Sequence, residues 1–291
     1  MNAIQPVLVG LVGTGTTASL SPALHMAEGA ELGFCYVFRS IDFTVLGLSD
    51  ERLAEALDWA ERLGYDAVTV THPFKQRVLQ HLDHVDPTES ALGAVNTVLF
   101  TPAGRVGYNT DTSGFEAAFR AGMSDVSVCS VVQLGAGGAG TAVADALVRI
   151  GTVRLTLIDI DEARAAALAA ALRQRHGADV RSAPVSELQT YLAAADGVVH
   201  CTPRGMHDHA GTPFDPALLR PDLWVSDIVY RPLETQLLRA ARAAGCRTLA
   251  GGRMAVCQAA DAIRPITGVK PDVERMMRHF SRLVADEEAE A

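Results

Sequence analysis

Short apolar runs and amphipathic stretches alternate along almost the whole chain. Val7 to Val12 is an apolar run that predicts a first strand. Ser21-Pro22 then opens a helix to about Glu31, with Ser21 as its N-cap and proline at the first helical position, and Gly33 ends it. Tyr36 to Ile41 predicts a second strand, Glu51 to Leu63 an amphipathic helix and Asp66 to Thr71 a third strand. His72-Pro73 breaks that strand, and Phe74 to His81 reads as helical. Ala94 to Phe100 and Arg105 to Tyr108 bracket Thr101-Pro102-Ala103-Gly104, which predicts a β-hairpin. A helix over about Gly114 to Ala121 follows, with Ser113 and Glu116 at capping-box spacing.

The second half keeps the same rhythm. Val126 to Val132 predicts a buried strand and Thr141 to Ile150 a helix. Strands over Leu155 to Ile158, Val180-Arg181, Gly197 to Cys201, Leu223 to Tyr230 and Arg247 to Ala250 alternate with helices over Ala163 to Arg175, Val185 to Ala194 and Glu234 to Ala244. Arg253 to Arg264 and Asp272 to Ala285 are closing helices, and Asp286 to Ala291 reads as a frayed acidic tail. Alternating strands and helices in both halves predict an α/β fold of two open domains with mostly parallel sheets. Ligands of such sheets sit beyond the strand carboxyl ends, so a cleft between the domains is the expected site.

One stretch organises the second domain: Gln133-Leu134-Gly135-Ala136-Gly137-Gly138-Ala139-Gly140. Gly135, Gly137 and Gly140 stand at G-x-G-x-x-G spacing between a predicted strand and a predicted helix. That spacing gives a tight turn, a bare backbone for a pyrophosphate, and close helix–strand packing. The helix N-terminus adds free N–H groups and a partial positive charge. The next strand ends on Asp159, where an acid that binds a ribose is expected.

Composition narrows the partners. The chain has 291 residues, 48% hydrophobic and 20% charged, enough for two globular domains. A net charge of −9 disfavours nucleic acid or an anionic membrane as partner. The five cysteines show no C-x-x-C pair, which fits reduced thiols in a cytoplasmic protein. No basic leader opens the chain and no apolar run is long enough to span a bilayer.

Several polar residues stand out. Lys75 lies where a helix begins, opposed by the helix dipole, and reads equally as a surface or a functional lysine. Asp111 precedes a helix that Ser113 already caps, so it is not needed as a cap. Asn96 sits inside a predicted strand and needs partners, from a ligand or from the fold. Ser19 and Ser21, two apart before Pro22, suit either capping or a carboxylate. Thr71 and His72 lie at the mouth of the third strand, with His72 reading as a solvated histidine. His207-Asp208-His209 reads as a solvent-facing loop, so no metal site is expected, and Cys201 reads as an inert thiol.

Seven ordered motifs, from about Gly13 to Pro271, resemble the shikimate/quinate dehydrogenase family. They are Ser19-Leu-Ser21-Pro22-Ala-Leu-His25; Val70-Thr71-His72-Pro73-Phe74-Lys75; Gly93-Ala94-Val95-Asn96-Thr97; Gly107-Tyr108-Asn109-Thr110-Asp111 with Gly114; Gly135 to Gly140; Asp227-Ile-Val-Tyr230 with Pro232 and Thr235; and Met254 with Gln258. The resemblance implies a substrate-binding catalytic domain over 1–111 plus 253–291 and a Rossmann dinucleotide-binding domain over 112–252. Lys75 and Asp111 are then the catalytic acid/base pair. Ser19, Ser21 and Tyr230 hold the substrate carboxylate, and Thr71, Asn96 and Gln258 bind ring hydroxyls. Gly135, Ala136, Gly137, Gly138, Ala139, Gly140, Asp159, Thr202 and Gly251 hold the cofactor. The implied reaction is oxidation of quinate or shikimate to 3-dehydroquinate or 3-dehydroshikimate, by a monomer or homodimer.

The departures from the pattern bear on the cofactor. Asp159-Ile160-Asp161 stands where NADP-using members resemble Asn-Arg-Thr, so NAD is expected over NADP, with an oxidative role like that of the actinobacterial branch. Thr69 and His200 each replace a common Asn, and Arg204 replaces an apolar residue near where nicotinamide is expected; an amino-analogue substrate is one alternative. A biosynthetic NADP enzyme is another. A non-catalytic metabolite sensor is disfavoured, because Lys75 and Asp111 are both present and no basic helix-turn-helix extension exists.

Overall fold

The computed structural model describes residues 6–85, 93–206 and 209–290. Backbone contacts divide the chain into two compact units, Met1–Thr110 with Val256–Ala291, and Asp111–Ala255.

The first unit is built on β1 (Pro6–Gly13), β2 (Cys35–Asp42), β3 (Ala67–Val70), β4 (His84–Val85), β5 (Thr97–Thr101) and β6 (Gly104–Tyr108). Their order in the sheet is β2-β1-β3-β5-β6-β4. β1 is parallel to β2 and β3, while β5 runs antiparallel to β3 and β6. Pro102 and Ala103 form the tip of that hairpin, in register from Thr101↔Gly104 to Thr97↔Tyr108. The helix Leu53–Arg62 buries Leu53, Ala56, Leu57 and Ala60, a stripe at helical spacing. It packs with Val12, Phe43, Val68, Val70 and Phe74 into one core. Each fully buried Leu or Phe there contributes about 1.5–3 kcal/mol. The last helix, Val273–Glu290, is tied back to the helix Ser21–Glu31. Buried Glu28 accepts from Arg275 Nε at 2.8 Å, from its Nη2 at 2.6 Å and from the Asp272 N–H at 2.8 Å.

The second unit is a wholly parallel sheet of β7 (Ser130–Leu134), β8 (Arg154–Ile158), β9 (Asp179–Ala183), β10 (Gly197–His200), β11 (Trp224–Asp227) and β12 (Thr248–Ala250). The order is β12-β11-β10-β7-β8-β9, the 3-2-1-4-5-6 arrangement of dinucleotide-binding sheets. The direction of winding reverses between β7 and β10, which opens a crevice at their carboxyl ends.

Several sequence expectations shift. The strand expected from Val126 starts at Ser130, because Ser127 accepts the Trp224 indole N–H at 2.7 Å and lies outside the ladder. The helix expected from Thr141 begins at Gly138. Ser21 is not an N-cap: it is the first helical residue, and Ser19 Oγ accepts its N–H at 3.2 Å. Residues 72–76 form turns followed by a 3-10 helix, Arg77–His81, so Lys75 is not in the first turn of an α-helix and no helix dipole opposes it there. Ser113 is no cap either. The helix runs Thr110–Gly122, with the Thr110 N–H donating to Asn96 Oδ1 at 2.9 Å. Asn96 itself precedes β5, and Tyr230 lies three residues past the end of β11. Helix continues through the acidic end to Glu290 in place of a frayed tail.

Candidate functional site

In the second unit the glycine loop leaves β7 and turns into the helix Gly138–Ile150. Gly135 has φ +98°, and a Cβ there would lie 2.7 Å from the Cys201 carbonyl oxygen and 3.0 Å from Thr202 Cγ2. A side chain at Gly140 would collide with the Gly135 carbonyl. Gly137 is different: a Cβ there meets nothing within 4 Å. Two glycines are therefore required by packing, and the third faces open space where a pyrophosphate can approach the backbone. Gly137 is also the N-cap of the helix and supplies no side-chain hydrogen bond, so the first-turn N–H groups keep their capacity for an anion. These residues fit a dinucleotide phosphate.

Asp159 follows β8 and is tied to this loop. It accepts the Ala136 N–H at 2.7 Å and the Asp161 N–H at 2.9 Å, and Arg164 stands 4.0 Å away. Ala136 thus spends its N–H on the acid rather than on a phosphate. Gln133, fully buried in β7, donates its side-chain N–H to the carbonyls of Gly135 (2.8 Å) and Gly140 (2.7 Å) and closes the loop from below.

Across the crevice, β10 ends on His200 and β11 on Asp227, both buried. His200 Nδ1 lies 3.0 Å from Asp227 Oδ1, and Nε2 lies 2.6 Å from Thr202 Oγ1. Asp227 also accepts from Thr235 Oγ1 at 2.7 Å and from the Val229 N–H at 3.0 Å. Burial, and then the nearby Asp227 charge, push the Cys201 thiol well above its ordinary range, which disfavours the nucleophilic thiolate. A Cβ at Gly251 would strike the Ile228 carbonyl, so that glycine lets the chain after β12 pass against the chain after β11.

In the first unit the polar residues gather at one end of the sheet. β1 and β3 end there, β5 begins there and β6 ends there. Ser19 and Ser21 follow β1, Thr71 and Lys75 follow β3, and Asn96 precedes β5; all but buried Asn96 are half-buried. The loops interlock through the backbone. Thr14 donates to the His72 carbonyl at 3.0 Å, Thr71 to Val12 at 3.0 Å, Val95 to Lys75 at 2.7 Å and Val70 to Asn96 at 2.7 Å. Asn96 Nδ2 donates to Thr110 Oγ1 at 3.0 Å, and Thr110 Oγ1 reaches Gln258 Oε1 at 3.4 Å. The structure thus draws Ser19, Ser21, Thr71, Lys75, Asn96 and Gln258 to one end of this unit. Asp111, a buried residue, and half-buried Tyr230 belong to the second unit. His72 is exposed, as a solvated histidine should be. His207 and Asp208 lie outside the described residues.

Three supporting residues went unassigned in the sequence. Gln133 is one, and its signal was a polar amide inside an apolar strand. Asp227, quoted only as part of a motif, is the second. Asp42, at the end of β2, is the third. It accepts from the Gly15 N–H (3.1 Å), the Thr17 N–H (3.0 Å) and hydroxyl (2.9 Å), and the Thr44 N–H (2.9 Å). Burial works against its charge, but the donors from Thr17, Gly15 and Thr44 outweigh burial and hold the carboxyl at about 2. Asp42 so fixes the loop that leads to Ser19 and Ser21.

Comparison with known proteins agrees with this geometry. Residues 11–98 match a family model described as the shikimate dehydrogenase substrate binding domain, and residues 131–209 match the saccharopine dehydrogenase NADP binding domain. A shikimate dehydrogenase (NADP(+)) from an Arthrobacter species is 50% identical over 100% of this chain and 99% of its own. A quinate/shikimate dehydrogenase (NAD(+)) from Corynebacterium efficiens is 47% identical over 95% of this chain and 98% of its own. The structure of quinate dehydrogenase from Corynebacterium glutamicum in complex with NAD superposes with a TM-score of 0.89 at 46% identity, covering 96% of this chain and 99% of that one. With half its residues shared over the full length of a relative, the chain belongs to the shikimate/quinate dehydrogenase family, oxidoreductases that act on CH–OH groups and bind a dinucleotide.

Proposed function

We propose that this chain is an NAD-dependent dehydrogenase of quinate and shikimate, with 1–111 plus 253–291 serving the substrate and 112–252 the cofactor. The observation that carries the cofactor choice is Asp159. Its carboxylate stands at the end of β8 beside the glycine loop and presents only acceptors. A ribose 2′-hydroxyl can donate to it, whereas a 2′-phosphate dianion is repelled. One observation favours the second reading, NADP. The Arg164 guanidinium lies next to Asp159, and the Arthrobacter relative is named for NADP(+). Arg164 is, however, already paired with Asp161 at 3.0 Å, so its charge is answered within the chain.

The dinucleotide supplies the hydride acceptor. The chain's own residues do the rest. The neutral Lys75 amine takes the proton of the reacting hydroxyl, and in the reverse direction its ammonium returns it. Asp111 orients Lys75 and accepts from a neighbouring hydroxyl. A positioned acid/base pair of this kind is worth about 10²–10⁴ in rate. Ser19, Ser21 and Tyr230 donate to the substrate carboxylate, while Thr71, Asn96 and Gln258 exchange hydrogen bonds with ring hydroxyls. The working form is a monomer or homodimer in the cytoplasm.

The experiment is a two-by-two assay of quinate or shikimate with NAD or NADP, read by the absorbance of the reduced nicotinamide. Reduction of NAD by either acid supports the reading. Turnover with NADP alone assigns the protein to the biosynthetic direction and removes Asp159 as a ribose ligand.

A further inference from the structure

One carboxylate at the end of β2 holds the loop that carries Ser19 and Ser21. Asp42 stands beside Gly13, the last residue of β1, in the parallel register of the two strands. Its two oxygens divide the work. Oδ1 accepts the Gly15 N–H at 3.1 Å and the Thr44 N–H at 2.9 Å, the second of which caps the helix Phe43–Leu46. Oδ2 accepts both the N–H (3.0 Å) and the hydroxyl (2.9 Å) of Thr17. Between these anchors the Thr16 hydroxyl bonds to that of Ser40, and the Thr16 carbonyl accepts the Ser19 N–H at 3.0 Å. Ser19 Oγ in turn accepts the Ser21 N–H at 3.2 Å, which leaves its own proton to donate. The other side of the loop meets the turn after β3: Thr14 donates to the His72 carbonyl at 3.0 Å, and a Cβ at Gly13 would lie 2.4 Å from Thr71 Cγ2. The loop is therefore seated between Asp42 and that turn.

A negative charge is an awkward anchor for a loop that is to take an anion, because it opposes a substrate carboxylate through space. The hydrogen bonds show what the charge does instead. All four donors need acceptors, and a carboxylate accepts on both oxygens. The isosteric amide accepts on one. With its oxygen toward Gly15 and Thr44, its N–H₂ would face the Thr17 N–H, donor against donor. An acid at this position thus answers a need of the loop, at some electrostatic cost to an anionic ligand. We infer that Asp42 is a positioning residue for recognition of the substrate carboxylate, acting through Thr17 and Thr16 on the Ser19 and Ser21 hydroxyls. The inference rests on the proposed reading of those two serines as carboxylate ligands; it is independent of the cofactor choice.

The test is steady-state oxidation of quinate and shikimate, each compared with its methyl ester, using the whole protein and whichever dinucleotide wild type reduces. Wild type is expected to favour the acid over the ester by about tenfold or more in kcat/KM, the scale of one charge-assisted hydrogen bond. Asp42→Asn is expected to lose most of that preference: KM for the acid rises about tenfold with kcat nearly unchanged, as for an interaction equal in ground and transition states, while the ester is unaffected. Thr17→Val removes one donor from an exposed residue and leaves the fold intact, so it carries the test if Asp42→Asn does not fold. It is expected to shift the preference in the same direction by about threefold. Dinucleotide affinity is expected to stay at the wild-type value in both variants. Equal losses on acid and ester reduce Asp42 to a structural residue and overturn the inference. A lower KM for the acid in Asp42→Asn also overturns it, since the carboxylate then acts only as a repelling charge. So does a wild type that treats acid and ester alike. Failure of wild type to oxidise either acid overturns the proposed function instead, and the inference with it.

Discussion

The carboxylate of Asp159 accepts the backbone N–H of Ala136 at 2.7 Å, so the acid after β8 and the glycine loop after β7 form one hydrogen-bonded unit. With Asp159 as the proposed ribose ligand, cofactor choice and loop geometry are coupled. Asp159→Ala is expected to raise KM for both dinucleotides and to shift the ratio of kcat/KM toward NADP by about tenfold or more, since removing one adjacent charge is worth about 1–2 kcal/mol at a partly solvated site. Steady-state kinetics with both cofactors check it; an unchanged ratio removes Asp159 from ribose recognition.

Lys75 lies in a turn and is half-buried, so its replacement leaves little unfilled space. Lys75→Ala is expected to lower kcat by about 10²–10⁴ with a native far-ultraviolet spectrum and native dinucleotide affinity. Near-normal turnover in that variant assigns the proton to another group.

Gln133 acts on the loop without a ligand of its own. Gln133→Leu keeps the volume but strands the carbonyls of Gly135 and Gly140 that its amide serves. The expected cost is about 1–3 kcal/mol of stability, read from urea unfolding, with equal loss of affinity for NAD and NADP. Selective loss for one cofactor contradicts this reading.

His25 predicts an acid limit. It is buried beside Tyr36, with Nδ1 3.2 Å from the hydroxyl, and burial lowers its pKa from 6.5 to about 3. The unfolded chain therefore binds a proton that the native state refuses. The associated stability is complete above about pH 6.5 and is lost at about 1.4 kcal/mol per pH unit as pH falls toward 3. Urea midpoints of wild type and His25→Gln across that range are expected to converge as pH falls, and parallel curves rule the histidine out.

How much of this was legible in the sequence depended on range. The parallel unit was, because short apolar-rich strands alternate with helices and Gly135, Gly137 and Gly140 mark the first turn. The polar end of the first unit was also legible, as ordered short motifs. Local capping arguments fared worse. Ser113 fits a capping box on paper, but the helix starts at Thr110, because Asn96, fourteen residues earlier, supplies the acceptor. Ser21 fits an N-cap, but Ser19 takes that position's work. Lys75 reads as opening a helix over Phe74 to His81 after the His72-Pro73 break, but the backbone closes into turns and a 3-10 helix that begins at Arg77. Asp42 was invisible for a different reason. Most of its partners are backbone N–H groups, and a side chain that serves an N–H leaves no pattern in the residues it serves.

The tie between Glu28 and Arg275 joins two segments of the first unit that are 247 residues apart. During synthesis this sets an order of events. All six strands of the parallel sheet are made before residue 256 is reached. Domains generally fold as units while the chain grows, at about 5–20 residues per second. The inserted unit can therefore complete itself while the first still lacks its closing helices. Glu28, made early and destined for burial, stays open to solvent until the final stretch of chain delivers its arginine.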